Sequence, residues 1–190
     1  MASVLDNPAV RQAALPISVE QYHELGRTGI IPTNTELVRG VILGKMIKSP
    51  EHSWLVQYLV DWLRSALPTG WHVRQEQPLT LSDSEPEPDV AVVLGSPGNY
   101  RQRHPSTAAL VIEVAVTSSE LDREKAAIYA EANVPEYWLV LPGQDQAEVY
   151  SLPNECGSTQ HQTIEIDGFL SPQAFPQLKL ALRTLFEAEP

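Results

Sequence analysis

Two short stretches, "DVAVVLG" (89–95) and "ALVIEVAV" (109–116), constrain the fold more than anything else in the chain. Side chains alternate along a strand. In the first stretch one face carries Asp89, Ala91 and Val93, and the other Val90, Val92 and Leu94. In the second, Val111, Glu113 and Ala115 share a face, and Ile112, Val114 and Val116 share the opposite one. Strands apolar on both faces belong inside a sheet that is covered on both sides. The two acids sit on the faces with small neighbours. If the strands pair antiparallel across the 95–108 loop, a register near Asp89 opposite Glu113 is available, with Cβ atoms about 4.5–5.5 Å apart. Two carboxylates that close repel unless a cation lies between them or one is protonated.

The flanking segments supply the cover. "SVEQYHELG" (18–26) reads as a short helix, with Ser18 and Gln21 at capping-box spacing and Gly26 at its end. "ELVRGVILGKMI" (36–47) reads as two strands turning near Arg39-Gly40. In "PEHSWLVQYLVDWLRSAL" (50–67), Trp54, Leu55, Tyr58, Leu59, Trp62 and Leu63 recur at helical steps, and Pro68 and Gly70 stop the run. Strands follow at 71–77, 89–95 and 109–116. A helix over 119–132 comes next, with Ser119 and Asp122 at capping-box spacing and Asn133 placed for a left-handed end. Strands at 136–141 and 147–152 and short strand pieces with a turn of helix over 161–186 complete the chain. This order predicts one mixed sheet flanked by helices, in the α/β or α+β class, as a single domain over 17–190 behind an arm over 1–16.

Charge and cysteine usage narrow the function. The chain of 190 residues has 24 acidic against 13 basic side chains, a net charge of −11. Proteins that grip nucleic acid through phosphates usually carry a basic footprint, so a nucleic-acid partner would need a local basic patch. One cysteine, Cys156, leaves no disulfide framework and fits a reducing compartment. No apolar run reaches the roughly 20 residues of a membrane span, and the first residues lack the pattern of a signal peptide. A cytoplasmic protein with no membrane partner is the expectation.

Glu113 is the one polar residue in its strand, and buried charges are paired or metal-bound. The next helix offers a partner. Leu121, Lys125, Ile128, Tyr129 and Ala132 fall on one helical stripe, which places Lys125 on the sheet-facing side. An acid pair with an inward lysine can hold a divalent cation and stabilise a phosphoryl transition state. Carboxylates suit hard cations, Mg²⁺ or Mn²⁺, and zinc-type Cys/His clusters are absent from the sequence.

The same residues resemble a known pattern. "PD" at 88–89 followed by Glu113 has the spacing of the PD-(D/E)XK nucleases. "ELVRGVI", "SPEHS", "EPDVAVV", "LVIEVAVTSS", "DREKAAIYAEANVPEYWLV" and "FPQLKLALRTLF", in that order, resemble the Uma-two family of restriction-endonuclease-like proteins over about residues 17–187. The resemblance implies a restriction-endonuclease-like sheet, a Mg²⁺- or Mn²⁺-dependent endonuclease activity, and nucleic acid, DNA before RNA, as the partner. Asp89 and Glu113 would hold the metal, with the Val114 carbonyl as a further ligand. The lysine two residues after the glutamate is replaced by Ala115, and the resemblance implies that Lys125 takes its role. Glu36 matches an acidic position that orients water or a second ion. Glu87 matches the acid before "PD", and His52 a histidine common in the family, with no role attached. "TSSE" (117–120) and "WLVLP" (138–142) depart from the family's usual "SPST" and "WLVDP".

A different class also fits: a nuclease scaffold that no longer cuts and serves as a binding or assembly module, with Asp89, Glu113 and Lys125 as a closed ion-pair network. Elsewhere, "NYRQRH" (99–104) is the densest basic stretch, where Tyr100, Arg101 and Arg103 could meet nucleic acid. An edge strand in such a sheet also suits homodimerisation.

Overall fold

The computed structural model describes residues 9, 13–117, 119–151 and 160–187. The expected arm over 1–16 falls largely outside these residues, as does Cys156. The first helix, α1 (Val19–Arg27), starts at a reciprocal cap. The Gln21 N–H donates to Ser18 Oγ at 3.2 Å, and the Ser18 N–H donates to Gln21 Oε1 at 2.8 Å. Gly26 does not end this helix as its spacing predicts. The helix runs on to Arg27, and Gly29, at a φ of 72°, carries the chain out of it.

The hairpin forms as expected, from β1 (Thr35–Val38) and β2 (Val41–Gly44). Arg39 and Gly40 turn it at φ values of 47° and 72°, the left-handed pair that matches strand twist. A Cβ on Gly40 would stand 2.3 Å from Pro16 Cβ and 2.9 Å from the Ile17 carbonyl oxygen. Gly40→Ala is therefore expected to cost more than the roughly 1–2 kcal/mol of a left-handed backbone. A fall in Tm beyond the roughly 2–8 °C of that cost alone, read in a thermal melt, would register it.

Helix α2 (Pro50–Ala66) begins at Ser49, whose Oγ accepts the His52 N–H at 3.1 Å, with proline in the first turn. It buries Leu55, Val56, Leu59, Val60 and Leu63, while Trp54, Tyr58 and Trp62 are only partly covered. The buried face is thus turned slightly from the aromatic stripe that the sequence displays. The wide apolar flank lets the tryptophans pack against the same core, with Trp62 stacked near Trp138.

The strands β3 (Trp71–Gln75), β4 (Val90–Leu94), β5 (Leu110–Val114), β6 (Glu136–Leu141), β7 (Gln146–Ser151) and β8 (Gln160–Glu165) form one six-stranded sheet in that order. All neighbours are antiparallel except β5 and β6, which are parallel and joined through α3 (Glu120–Glu131), the crossover that parallel pairing requires. A small pair, β9 (Phe169–Leu170) with β10 (Leu180–Ala181), and helix α4 (Leu182–Glu187) close the described chain. The mixed α+β architecture of the sequence reading is what forms.

Two cores flank the sheet. Val90, Val92, Leu110, Ile112 and Val114 face α2 and α4, with Trp138 among them. Ala91, Val93, Val111 and Ala115 face Ile128 and Tyr129 of α3. The faces divide as the alternation in 89–94 and 109–116 dictates. Val90 pairs with Ile112 and Ala91 with Val111, so the same register continued by one residue sets Asp89 opposite Glu113.

Candidate active site

Asp89 enters β4 behind Pro86 and Pro88, and its backbone and side chain are both tied to β5. Its N–H donates to Glu113 Oε2 at 3.2 Å, and its Oδ2 accepts the Val114 N–H at 2.8 Å. The two acidic residues therefore lock each other's strand ends together. His52, on the first turn of α2, presents Nε2 to the same Oδ2 at 3.1 Å. A carboxylate oxygen needs a donor there, so Nε2 carries the proton, and His52 Nδ1 is buried without a partner. Both hydrogen bonds fall on Oδ2, and Oδ1 is left to the adjoining cleft. The Val114 carbonyl, on the same side of its strand as its N–H, is turned that way too.

Lys125 reaches this point from α3. Its Nζ lies 3.0 Å from Glu36 Oε1 on β1, 3.1 Å from Glu113 Oε1 and 3.5 Å from Asp122 Oδ1. Tyr129, one turn further along α3, donates its hydroxyl to Glu113 Oε1 at 3.2 Å. Glu36, Asp89, Glu113 and Lys125 are 4%, 7%, 5% and 5% exposed, so their charges act on one another with little screening. Burial works to lower the pKa of Lys125, but the carboxylates of Glu113, Glu36 and Asp122 outweigh it and hold the ammonium above its ordinary range. Glu113 is pushed well above the usual carboxylate range, chiefly by burial and then by Asp89, against the pull of Lys125. Asp122 is raised in the same way. One ammonium thus serves three carboxylates, with Asp89 beside them on His52, and the cluster is short of positive charge.

These groups line a cleft of about 220 Å³, large against the ~10–15 Å³ of such space that one water needs. Its rim is the segment 45–48, where Lys45 pairs with Glu87 and Lys48 Nζ lies 2.5 Å from Glu76 Oε1. Glu87, the acid before "PD", is thus a rim residue held by a lysine. Leu121, expected on the buried stripe of α3, is 42% exposed at the cleft instead, because the first turn of α3 overhangs the end of the sheet. Ser119 makes no side-chain cap, since its backbone (φ −118°, ψ −1°) is not the extended one from which a capping side chain reaches back. Among the described residues no three His, Cys, Asp or Glu side chains converge to hold a metal by themselves. Asp89, Glu113 and Val114 line the cleft side by side, with Glu36 and Asp122 next to them.

The structure brings together Glu36, Asp89, Glu113, Val114 and Lys125, and sets Tyr100, Arg101 and Arg103 apart. That loop leaves the far end of β4, about 16 Å along the strand from Asp89. Tyr100 donates its hydroxyl to the Leu94 carbonyl at 2.5 Å, and the Arg74 guanidinium lies 5.4 Å from its ring centroid. Sequence reasoning missed the partners of His52 and Asp122. A signal existed for each: His52 continues the buried series 56, 59, 63 of α2 at helical spacing, and Asp122 stands three residues before Lys125.

A mixed sheet with its acidic pair at the meeting of two strand ends, faced by a helix-borne lysine, is a restriction-endonuclease-like fold. The sequence model of the Uma2 family, described as "Putative restriction endonuclease", matches residues 19–183, and the chain belongs to that family. A crystal structure of a putative nuclease of the DUF820 family from Anabaena variabilis superposes with a TM-score of 0.76, covering 90% of this chain and 98% of that one at 17% identity. At that identity the likeness is one of fold. No curated protein matches the chain. Among the described residues no helix is long and apolar enough to cross a membrane.

Proposed function

We propose that the protein is a metal-dependent endonuclease, hydrolysing phosphodiester bonds of nucleic acid, DNA before RNA, with Mg²⁺ or Mn²⁺ held by Asp89, Glu113 and the Val114 carbonyl. The observation that carries this reading is the charge imbalance: three buried carboxylates and the partly covered Asp122 around a single ammonium. The residues fit such an ion. Mg²⁺ is commonly bound by one or two carboxylates and completes its shell with water and substrate phosphate, so no three-residue cage is needed. When bound, the cation would supply Lewis-acid charge at the phosphate and lower the pKa of water.

The chain's own residues do the rest. His52 and the Val114 N–H hold Asp89 Oδ2 so that Oδ1 faces the cleft. Tyr129 holds Glu113. The Lys125 ammonium stands where negative charge gathers on the phosphoryl oxygens, already in place before the reaction. Glu36, fixed by Lys125 and by the Glu87 N–H at 3.3 Å, orients the attacking water. Water attacks phosphorus and gives up a proton to solvent, one ester P–O bond breaks as the new P–O bond forms, and the departing oxygen takes a proton from solvent. The family description supports DNA as substrate, and the single cysteine supports a cytoplasmic setting.

The test is incubation with plasmid DNA and, separately, an RNA transcript, with Mg²⁺, Mn²⁺ or EDTA. Cleavage of DNA that EDTA stops is expected, and persistent absence of cleavage under all metals would count against the reading. His52→Ala should weaken Mn²⁺ binding by about 10–100-fold, the usual effect of losing a group that orients a ligand, as isothermal titration would record. A second reading has its own observation. Lys125 already contacts three carboxylates, and such a network could be the closed core of a module that binds without cutting. Cation binding separates the two.

A further inference from the structure

Arg74 is the one arginine of the sheet, and it is only 4% exposed. A buried guanidinium normally faces a carboxylate, because an uncompensated buried charge is costly. Here it does not. Both of its hydrogen bonds leave from Nη2, to the Pro78 carbonyl at 3.3 Å and to His104 Nδ1 at 3.1 Å, and Nε is buried without any partner. Burial lowers its pKa, with only the Tyr100 phenol working the other way. Glu85, on the neighbouring loop, is committed to His23 at 2.6 Å and Thr80 at 2.6 Å. The cover over Arg74 includes the Tyr100 ring and His104, both from the basic loop, whose Arg101 and Arg103 are exposed.

Position gives this orphan charge a use. Arg74 pairs with Ala91, and so lies on the sheet face of Asp89 and Glu113. Its Cα is one strand over and two residues along from Asp89, about 8 Å away by ordinary strand spacings. One strand of a duplex advances about 3.4 Å per nucleotide.

We propose that Arg74, with the exposed Arg101 and Arg103 of the loop that covers it, is a phosphate-binding site that takes a backbone phosphate of nucleic acid a few nucleotides from the one at the cleft. The placement of that phosphate rests on the nuclease reading; the anion site itself stands on Arg74. The loop 97–104 is the door: Tyr100 and His104 move aside as the phosphate reaches the Nε–H that now lacks an acceptor. This is the local basic patch that a chain of net charge −11 needs.

The test compares wild type, Arg74→Met and the surface double variant Arg101→Ala/Arg103→Ala. Inorganic phosphate at ten times its dissociation constant should raise the wild-type Tm by roughly 3–6 °C and leave that of Arg74→Met unmoved. Without phosphate, Arg74→Met should melt at or above the wild-type temperature, since a buried unpaired charge has been removed. Binding of a labelled DNA duplex in Ca²⁺, followed by anisotropy, should weaken about tenfold in Arg74→Met. Its salt slope should fall by about one in that variant and by up to about two in the double variant. An Arg74→Met protein that melts well below wild type, or that gains as much from phosphate, would make the arginine a structural prop and overturn the proposal. Phosphate stabilisation that depends on Arg74 in a protein that cleaves no DNA would uphold the anion site and tell against the cleft chemistry alone.

Discussion

Asp89→Asn is expected to lower DNA cleavage by about a thousandfold or more while the fold survives. The asparagine keeps an oxygen for the Val114 N–H and stays within reach of His52, so the strand-end hydrogen bonds at 2.8 and 3.1 Å are not forfeited. What it loses is one of the two carboxylates proposed to hold the cation. The charge stabilisation supplied by a bound cation is several kcal/mol, and each 1.36 kcal/mol is a factor of ten in rate. Initial rates on plasmid DNA, read beside a thermal melt, separate the two effects. Loss of the fold together with activity would make Asp89 a structural residue. Undiminished cleavage would remove it from the mechanism.

Lys125→Met should produce the largest loss of stability. It strands Glu36, Glu113 and Asp122 around a methyl group, with two of the three nearly fully buried. Breaking a buried pair from one side costs about 3–5 kcal/mol, which for a chain of this size is a fall in Tm on the order of 10 °C. The deficit should depend on pH in a fixed direction. Burial already raises the folded-state pKa of Glu113, and removing Lys125 raises it further. Above the unfolded pKa of about 4.5 the folded state then binds more protons than the unfolded one, so stability falls as pH rises. The gap between variant and wild type should narrow as pH drops toward that value and widen toward neutrality. A gap that is constant with pH would mean that the lysine acts through its packing and not its charge.

The parts of the fold set by strong local chemistry were legible in the sequence. The capping box at Ser18, the turn at Arg39-Gly40, the left-handed Asn133 and the alternation in 89–94 and 109–116 each leave one low-energy local solution. That alternation also yielded the opposition of Asp89 and Glu113, since slipping the register by one would have turned both acids into the α2 core. Lys125 was legible because its helix has a single apolar stripe. The parts set by distant packing were not. His52 meets Asp89 across 37 positions, and nothing local to a first-turn histidine says which strand end it will overhang. Arg74 looked like an ordinary strand residue, because its lack of a counter-ion is a property of the neighbours that three-dimensional packing gives it. Gly26 was misread as a stop, as its low helix propensity is outweighed here by the capped turns before it.

The charge-short cluster at Glu36, Asp89, Glu113 and Asp122 is the centre of the functional reading, and titration calorimetry with Mn²⁺ tests it without any assumption about substrate. Wild type should show saturable binding, and Glu113→Gln, which keeps the shape of the site but removes one charge and one accepting oxygen, should lose it. Absence of binding in both proteins, or equal binding in both, would contradict a cation held by Asp89 and Glu113.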